Sequence, residues 1–380
     1  MHSTLPPIDS GCTNYLSCYK YIMATGFVPR IDVHHHLIPP AFGQAFAAHG
    51  LTTVAGAPLP RWTPDRSLSV MDENGIATAI LSLSAPGVHF GSEEEASALA
   101  RDCNEYAAGL AARHPGRFGF FAVLPMPDAD RAAREAAYAL DVLNADGIVL
   151  LGSTRGVFLG DPSLDELMAE LDRRAAVVFV HPNVHATSET LSLAAPQFFV
   201  EFVCDTTRAA TNLVFTGTLE RFPNIRFILA HAGGFLPYIA WRLSLGNLIP
   251  AIAERAPAGI LEYLRRFYFD TALSPSPFAM AALGRLVNPS HILFGSDFPF
   301  APEPITASQV GSLDGLADWD EAMRSGVARG HALALFPRFA GAGEAPPASA
   351  SAFSPRSVVA RMRGAALRSV VHLVDHIRNQ

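Results

Sequence analysis

Ile31-Asp32-Val33-His34-His35-His36 is an apolar-edged run that ends in three consecutive histidines. In an extended strand successive side chains point to opposite faces, so His34 and His36 share one face and His35 takes the other. Two imidazoles on one face at a strand end are close enough to bind a single ion. The same kind of ending returns three times downstream. Val178-Phe179-Val180 leads into His181-Pro182, and Ile228-Leu229-Ala230 into His231-Ala232-Gly233-Gly234. Leu293-Phe294-Gly295-Ser296 leads into Asp297-Phe298-Pro299. One buried His or Asp after a strand is usually a hydrogen-bonded structural residue. Four such endings point instead to one shared site, because the C-terminal ends of parallel barrel strands meet at a single mouth.

Outward from these endings, short apolar runs alternate with helical patterns, the rhythm of a parallel α/β fold. Strands are expected at 31–36, 77–83, 117–124, 147–151, 176–181, 225–231, 267–271 and 291–297. Helices are expected at 93–113, 131–143, 164–174 and 207–221, the last capped by Asp205, Thr206 and Thr207. Eight strands predict a (β/α)8 TIM barrel, with a doubly wound open sheet as the alternative. The expected organisation is an N-terminal extension over 1–30, a metal-dependent barrel over 31–338, and a C-terminal part over 339–380. That last part begins with an Ala/Gly/Pro/Ser-rich linker. It continues as an amphipathic helical tail in which Val359, Met362, Ala366, Val370, Leu373 and Ile377 recur at three-four spacing.

Composition narrows the function. The chain has 380 residues, 17% of them charged, and a formal net charge of −7. No basic footprint for nucleic acid and no apolar run of membrane-spanning length is present. The first residues lack the basic-then-apolar order of a secretory signal, and Cys12, Cys18, Cys103 and Cys204 form no CxxC pair. A reducing, cytoplasmic setting is expected. Lys20 is the only lysine. A binuclear site bridged by a carboxylated lysine inside the barrel is therefore excluded, and one ion is expected. Three imidazoles and a carboxylate (His34, His36, His181, Asp297) suit Zn2+, with Mn2+ or Fe2+ as alternatives, and leave a position for water or substrate.

DVHHHLIPP, VFVHP, ILAHAGG and ILFGSDFP, in this order, resemble the amidohydrolase-superfamily decarboxylases, the group of aminocarboxymuconate semialdehyde decarboxylase. The resemblance spans about Ile31 to Pro337. LSLSAPGV, RFGFFAVLPMPD, LGDPSLDEL, CDTTRAATNL and FYFDTALS are similar to the 6-methylsalicylate decarboxylase branch. The resemblance implies His34, His36, His181 and Asp297 as metal ligands and His231 as the catalytic histidine. It also implies Arg242, in the LPYIAWR stretch, as a substrate-carboxylate arginine supplied by the partner subunit of a homodimer. Trp62 and Phe298 are expected to contact substrate. The second arginine of the muconate enzyme has no counterpart before Trp62, where Arg61 stands only roughly in its place. This favours a different carboxylate substrate.

The implied reaction is non-oxidative decarboxylation of an ortho-hydroxybenzoate, 6-methylsalicylate to m-cresol and CO2. Protonating the carboxylate-bearing carbon before C–C cleavage avoids a bare ring anion. Asp297 is the expected proton donor, assisted by His231. Two alternatives stand beside it: an aminocarboxymuconate semialdehyde-type decarboxylase, and a hydrolase that opens a lactone or amide with metal-activated water.

Overall fold

The computed structural model describes residues 28–191 and 194–342. Eight parallel strands follow in chain order: β1 (Arg30–His36), β2 (Ile76–Ser82), β3 (Phe118–Val123), β4 (Gly147–Leu151), β5 (Val177–His181), β6 (Arg226–Leu229), β7 (Tyr268–Asp270) and β8 (Ile292–Leu293). The backbone beyond β8 rejoins β1. Val33 N donates to Phe294 O at 3.0 Å and His36 N to Phe298 O at 2.7 Å, which closes the barrel. The structure is thus the expected TIM barrel, not an open sheet.

Helices α1 (Pro40–Ala48), α2 (Pro64–Glu73), α3 (Glu93–Arg113), α4 (Ala129–Asp141), α5 (Asp165–Arg173), α6 (Glu201–Phe215), α7 (Leu236–Ser244), α8 (Pro277–Leu286) and α9 (Glu303–Asp314) alternate with the strands. Local chemistry sets their starts. Ser92 accepts from Glu95 N while Glu95 accepts from Ser92 N, a reciprocal cap that satisfies two otherwise orphaned donors at the start of α3. Alternation within a strand divides its side chains between two surroundings. Val178 and Val180 join Leu167, Leu171 and Leu213 of the surrounding helices. Val177 and Phe179 join Phe121 and Ile228. The Phe179 ring lies 4.9 Å from that of His34, so β5 presents Phe179 and His181 to the side where the β1 histidines gather.

Two sequence expectations are corrected. Asp205, Thr206 and Thr207 do not cap a helix; α6 begins at Glu201 and runs through them. Asp205 is buried and accepts from Ser153 Oγ at 2.6 Å and Asn183 N at 2.8 Å, joining α6 to the segments after β4 and β5. Burial pushes its carboxyl up to about 6. The sixth and eighth strands are also shorter than expected. Their polar ends, His231 at φ 54° and Asp297 at φ 60°, leave extended geometry altogether. The N-terminal extension up to residue 27 and the amphipathic tail around 359–377 lie outside the described residues. No helix among the described residues is long and apolar enough to cross a membrane.

Candidate metal centre

β1, β5 and the segment after β8 bring His34, His36, His181 and Asp297 together, with one ligand atom from each lying within 4.8 Å of all the others. His34 Nε2 stands 3.0 Å from His36 Nε2 and 3.2 Å from Asp297 Oδ1, and His36 Nε2 is 3.1 Å from the same oxygen. Ligand atoms about 2.0–2.1 Å from a shared tetrahedral ion stand roughly 3.3 Å apart, close to this spacing. All four side chains are buried.

The three Nδ1 atoms are each taken by an acceptor. His34 Nδ1 donates to Asp270 Oδ2 at 2.6 Å, His36 Nδ1 to Ser82 O at 3.1 Å, and His181 Nδ1 to Pro182 O at 2.8 Å. Each proton is thereby held on Nδ1, and each Nε2 lone pair is turned toward the common centre. Converging imidazole lone pairs and a carboxylate oxygen repel one another in a dry site unless a cation lies between them. The donor set therefore fits a divalent metal.

Electrostatics follow the same geometry. Burial pulls His34 down, but the Asp270 and Asp297 carboxylates outweigh it and lift its pKa to about 10, a demand for positive charge at Nε2 that a bound cation would meet in place of the proton. Burial lowers His36 below its ordinary value. It lowers His181 much further, aided by the neighbouring His36 and His34. Burial also opposes the charge on Asp297, yet the surrounding imidazoles win and hold its carboxyl well below the usual carboxylate range.

His231 stands apart from the four. Its Nε2 is 3.6 Å from Asp297 Oδ2, the oxygen that faces away from the His34–His36 pair, and neither ring nitrogen has a hydrogen-bond partner although both are buried. A buried polar group without a partner is costly. An arriving ligand is the simplest thing to satisfy it. Gly233 and Gly234 leave no room for a side chain. Both have positive φ, and a Cβ would lie 2.6 Å from Phe269 Cε1 in the first case and 2.3 Å from Val203 O in the second.

Phe298 and Trp62 are not where the sequence reading put them. The Phe298 ring packs 5.1 Å from His35, on the face of β1 opposite the His34–His36 pair. Trp62 Nε1 donates to Ser67 Oγ at 2.8 Å, the same hydroxyl that meets His35 Nε2 at 2.9 Å. His35 Nδ1 in turn meets Asp32 Oδ2 at 3.0 Å. Trp62, Ser67, His35 and Asp32 therefore form a polar chain behind the ligands. The aromatic rings beside the ligands are Phe300, 5.4 Å from His36, and Phe202, 5.7 Å from His181. Arg242 is exposed in the last turn of α7. Asp270 is the main residue that the sequence reading missed. Its signal was a carboxylate ending an apolar strand, the pattern already used for Asp297.

The barrel and the donor set at its mouth define an enzyme with a divalent-metal centre. Residues 31–338 match the amidohydrolase family, and the chain belongs to it. The decarboxylase yanB of Aspergillus niger is 43% identical over 324 residues, which cover 82% of this chain and 88% of that one. The 6-methylsalicylic acid decarboxylase of Penicillium expansum is 37% identical over 320 residues, covering 82% of this chain and 97% of the relative. A solved dihydroxybenzoic acid decarboxylase from Polaromonas, with bound manganese and the inhibitor 2-nitroresorcinol, is 25% identical at a TM-score of 0.70. That match covers 82% of this chain and 97% of the other.

Proposed function

We propose that the chain is a metal-dependent, non-oxidative carboxy-lyase acting on an ortho-hydroxybenzoate, with 6-methylsalicylate, m-cresol and CO2 as substrate and products. The observation that carries this reading is the placement of Asp297. One oxygen meets the imidazole cluster and the other faces His231, in a chain similar to decarboxylases over most of its length. His34, His36, His181 and Asp297 would hold one Zn2+ per chain, with Mn2+ as the alternative. The ion would draw the phenolate and carboxylate oxygens together and offset their charge.

The remaining chemistry falls to the protein. Asp297, an anion at rest, acts as a relay: its His231-facing oxygen takes a proton from His231 and passes it to the ring carbon that bears the carboxylate. The C–C bond then breaks, its electron pair restores the aromatic ring, and CO2 leaves. His231 also hydrogen-bonds substrate through its free ring nitrogens. Phe300 and Phe202 take the apolar contacts first assigned to Phe298 and Trp62. The test is an assay of the metal-loaded enzyme against a panel of salicylate-type acids, with CO2 and phenol measured together. Equal release of both from 6-methylsalicylate is expected. Inert acids beside lactone or amide turnover would establish a hydrolase instead.

The proposal includes a homodimer. Tyr238 and Trp241 on α7 are 87% and 73% exposed, and Leu248 just beyond it is 81% exposed. An apolar surface of this kind around Arg242 suits a subunit contact that carries the arginine into the neighbour's pocket. Co-refolding Arg242→Ala with His181→Ala should restore activity that neither variant has alone, since mixed dimers regain one complete site. A wild-type level of activity in Arg242→Ala would contradict the role. We place the enzyme in the cytoplasm and keep the division into 1–30, 31–338 and 339–380.

A further inference from the structure

Asp270 ends β7 with no exposed surface, and both its oxygens are engaged. Oδ2 accepts from His34 Nδ1 at 2.6 Å. Oδ1 accepts from the backbone N–H of His231 at 2.9 Å and from that of Ala272 at 2.9 Å. One carboxylate therefore ties a proposed metal ligand to the backbone of the proposed catalytic histidine. His231 needs the support, because at φ 54° it occupies a region that non-glycine residues rarely adopt.

The room for this arrangement comes from Gly295. A Cβ there would sit 2.8 Å from His34 Cβ, closer than real Cβ atoms come, and 3.1 Å from Asp270 Cβ, a tight contact. Any other residue at 295 would force His34 or the backbone beside it to shift. The register agrees: Asp270 pairs with Leu293, two residues before the glycine, so the carboxylate and the gap are neighbours across β7 and β8.

We propose that Asp270 is a positioning residue that sets His34 in the Nδ1–H form, with Nε2 free for the metal, and at the same time fixes the backbone that aims His231 at Asp297. This rests on the reading of His34 as a ligand. Both tasks require an acceptor, and a carboxylate has two. An asparagine of the same shape has one. If its oxygen faces the two backbone N–H groups, its NH2 faces His34 Nδ1 and forces the proton onto Nε2, where the metal must bind. If the oxygen faces His34, the NH2 opposes the two backbone donors.

The first arm of the test is nitrogen-15 NMR of histidine-labelled, zinc-loaded wild-type enzyme. His34 should show a protonated Nδ1 and a zinc-bound Nε2. The second arm is Asp270→Asn, with zinc affinity measured by chelator competition. Affinity should fall roughly 10–100-fold, the usual effect of losing an outer-shell partner of a ligating histidine. At saturating zinc kcat should still fall while KM changes little, because His231 remains misaimed. Wild-type zinc affinity in a folded Asp270→Asn would overturn the inference, as would an unprotonated His34 Nδ1 in the wild-type spectrum. A His34 whose Nε2 does not respond to zinc would instead overturn the ligand assignment beneath it. If Asp270→Asn does not fold, the wild-type spectrum decides alone.

Discussion

His34→Ala and His181→Ala should each abolish activity and leave the purified protein without stoichiometric metal. Each removes one of the four buried donors that converge on the centre. The affinity loss should exceed the ~100-fold upper range for losing only an outer-shell partner. Elemental analysis should give near one equivalent for wild type and close to none for either variant. His35→Ala supplies the contrast. His35 sits between His34 and His36 in sequence, yet its ring bonds Asp32 and Ser67 on the opposite face. That variant should keep its metal and lose about 1–3 kcal/mol of stability from the partners left unsatisfied. Two equivalents in wild type, or full activity without metal, would refute the one-ion centre.

His231→Asn should have the second largest effect, with the opposite signature. His231 is not among the four convergent ligands, and its Nε2 faces the far oxygen of Asp297 at 3.6 Å. Metal content should stay near one equivalent while kcat falls ~10²–10⁴-fold, the range for loss of a positioned acid–base group. Metal analysis and kcat on the same preparation separate the two cases. A loss of metal in His231→Asn equal to that in His34→Ala would place His231 among the ligands. Unchanged kcat would remove it from proton transfer.

The convergence of His34, His36, His181 and Asp297 was legible because strand alternation is strict. The HxH of β1 fixes which two histidines share a face, and an apolar strand before His181 and Asp297 announces a buried polar end. Less was visible where the backbone departs from a strand. His231 and Asp297 leave extended geometry just past β6 and β8, so alternation did not carry through to Phe298, whose ring turns toward His35. Asp205 shows the ambiguity of a short polar residue. Asp and Thr favour helix caps in isolation, but here tertiary hydrogen bonds from Ser153 and Asn183 hold the aspartate inside α6. Asp270 was hidden for a different reason. Its position at a strand end was visible, but its contacts with His34 and with the backbone of His231 come from distant segments.

The proposed chemistry is most directly tested by running the metal-loaded enzyme on 6-methylsalicylate in D2O and locating deuterium in the phenol by NMR. The account predicts CO2 and m-cresol in equal amounts, with one deuterium on the carbon between the hydroxyl and the methyl group, where the carboxylate stood. m-Cresol without deuterium at that carbon, or no m-cresol at all from an enzyme that opens lactones or amides, would contradict it.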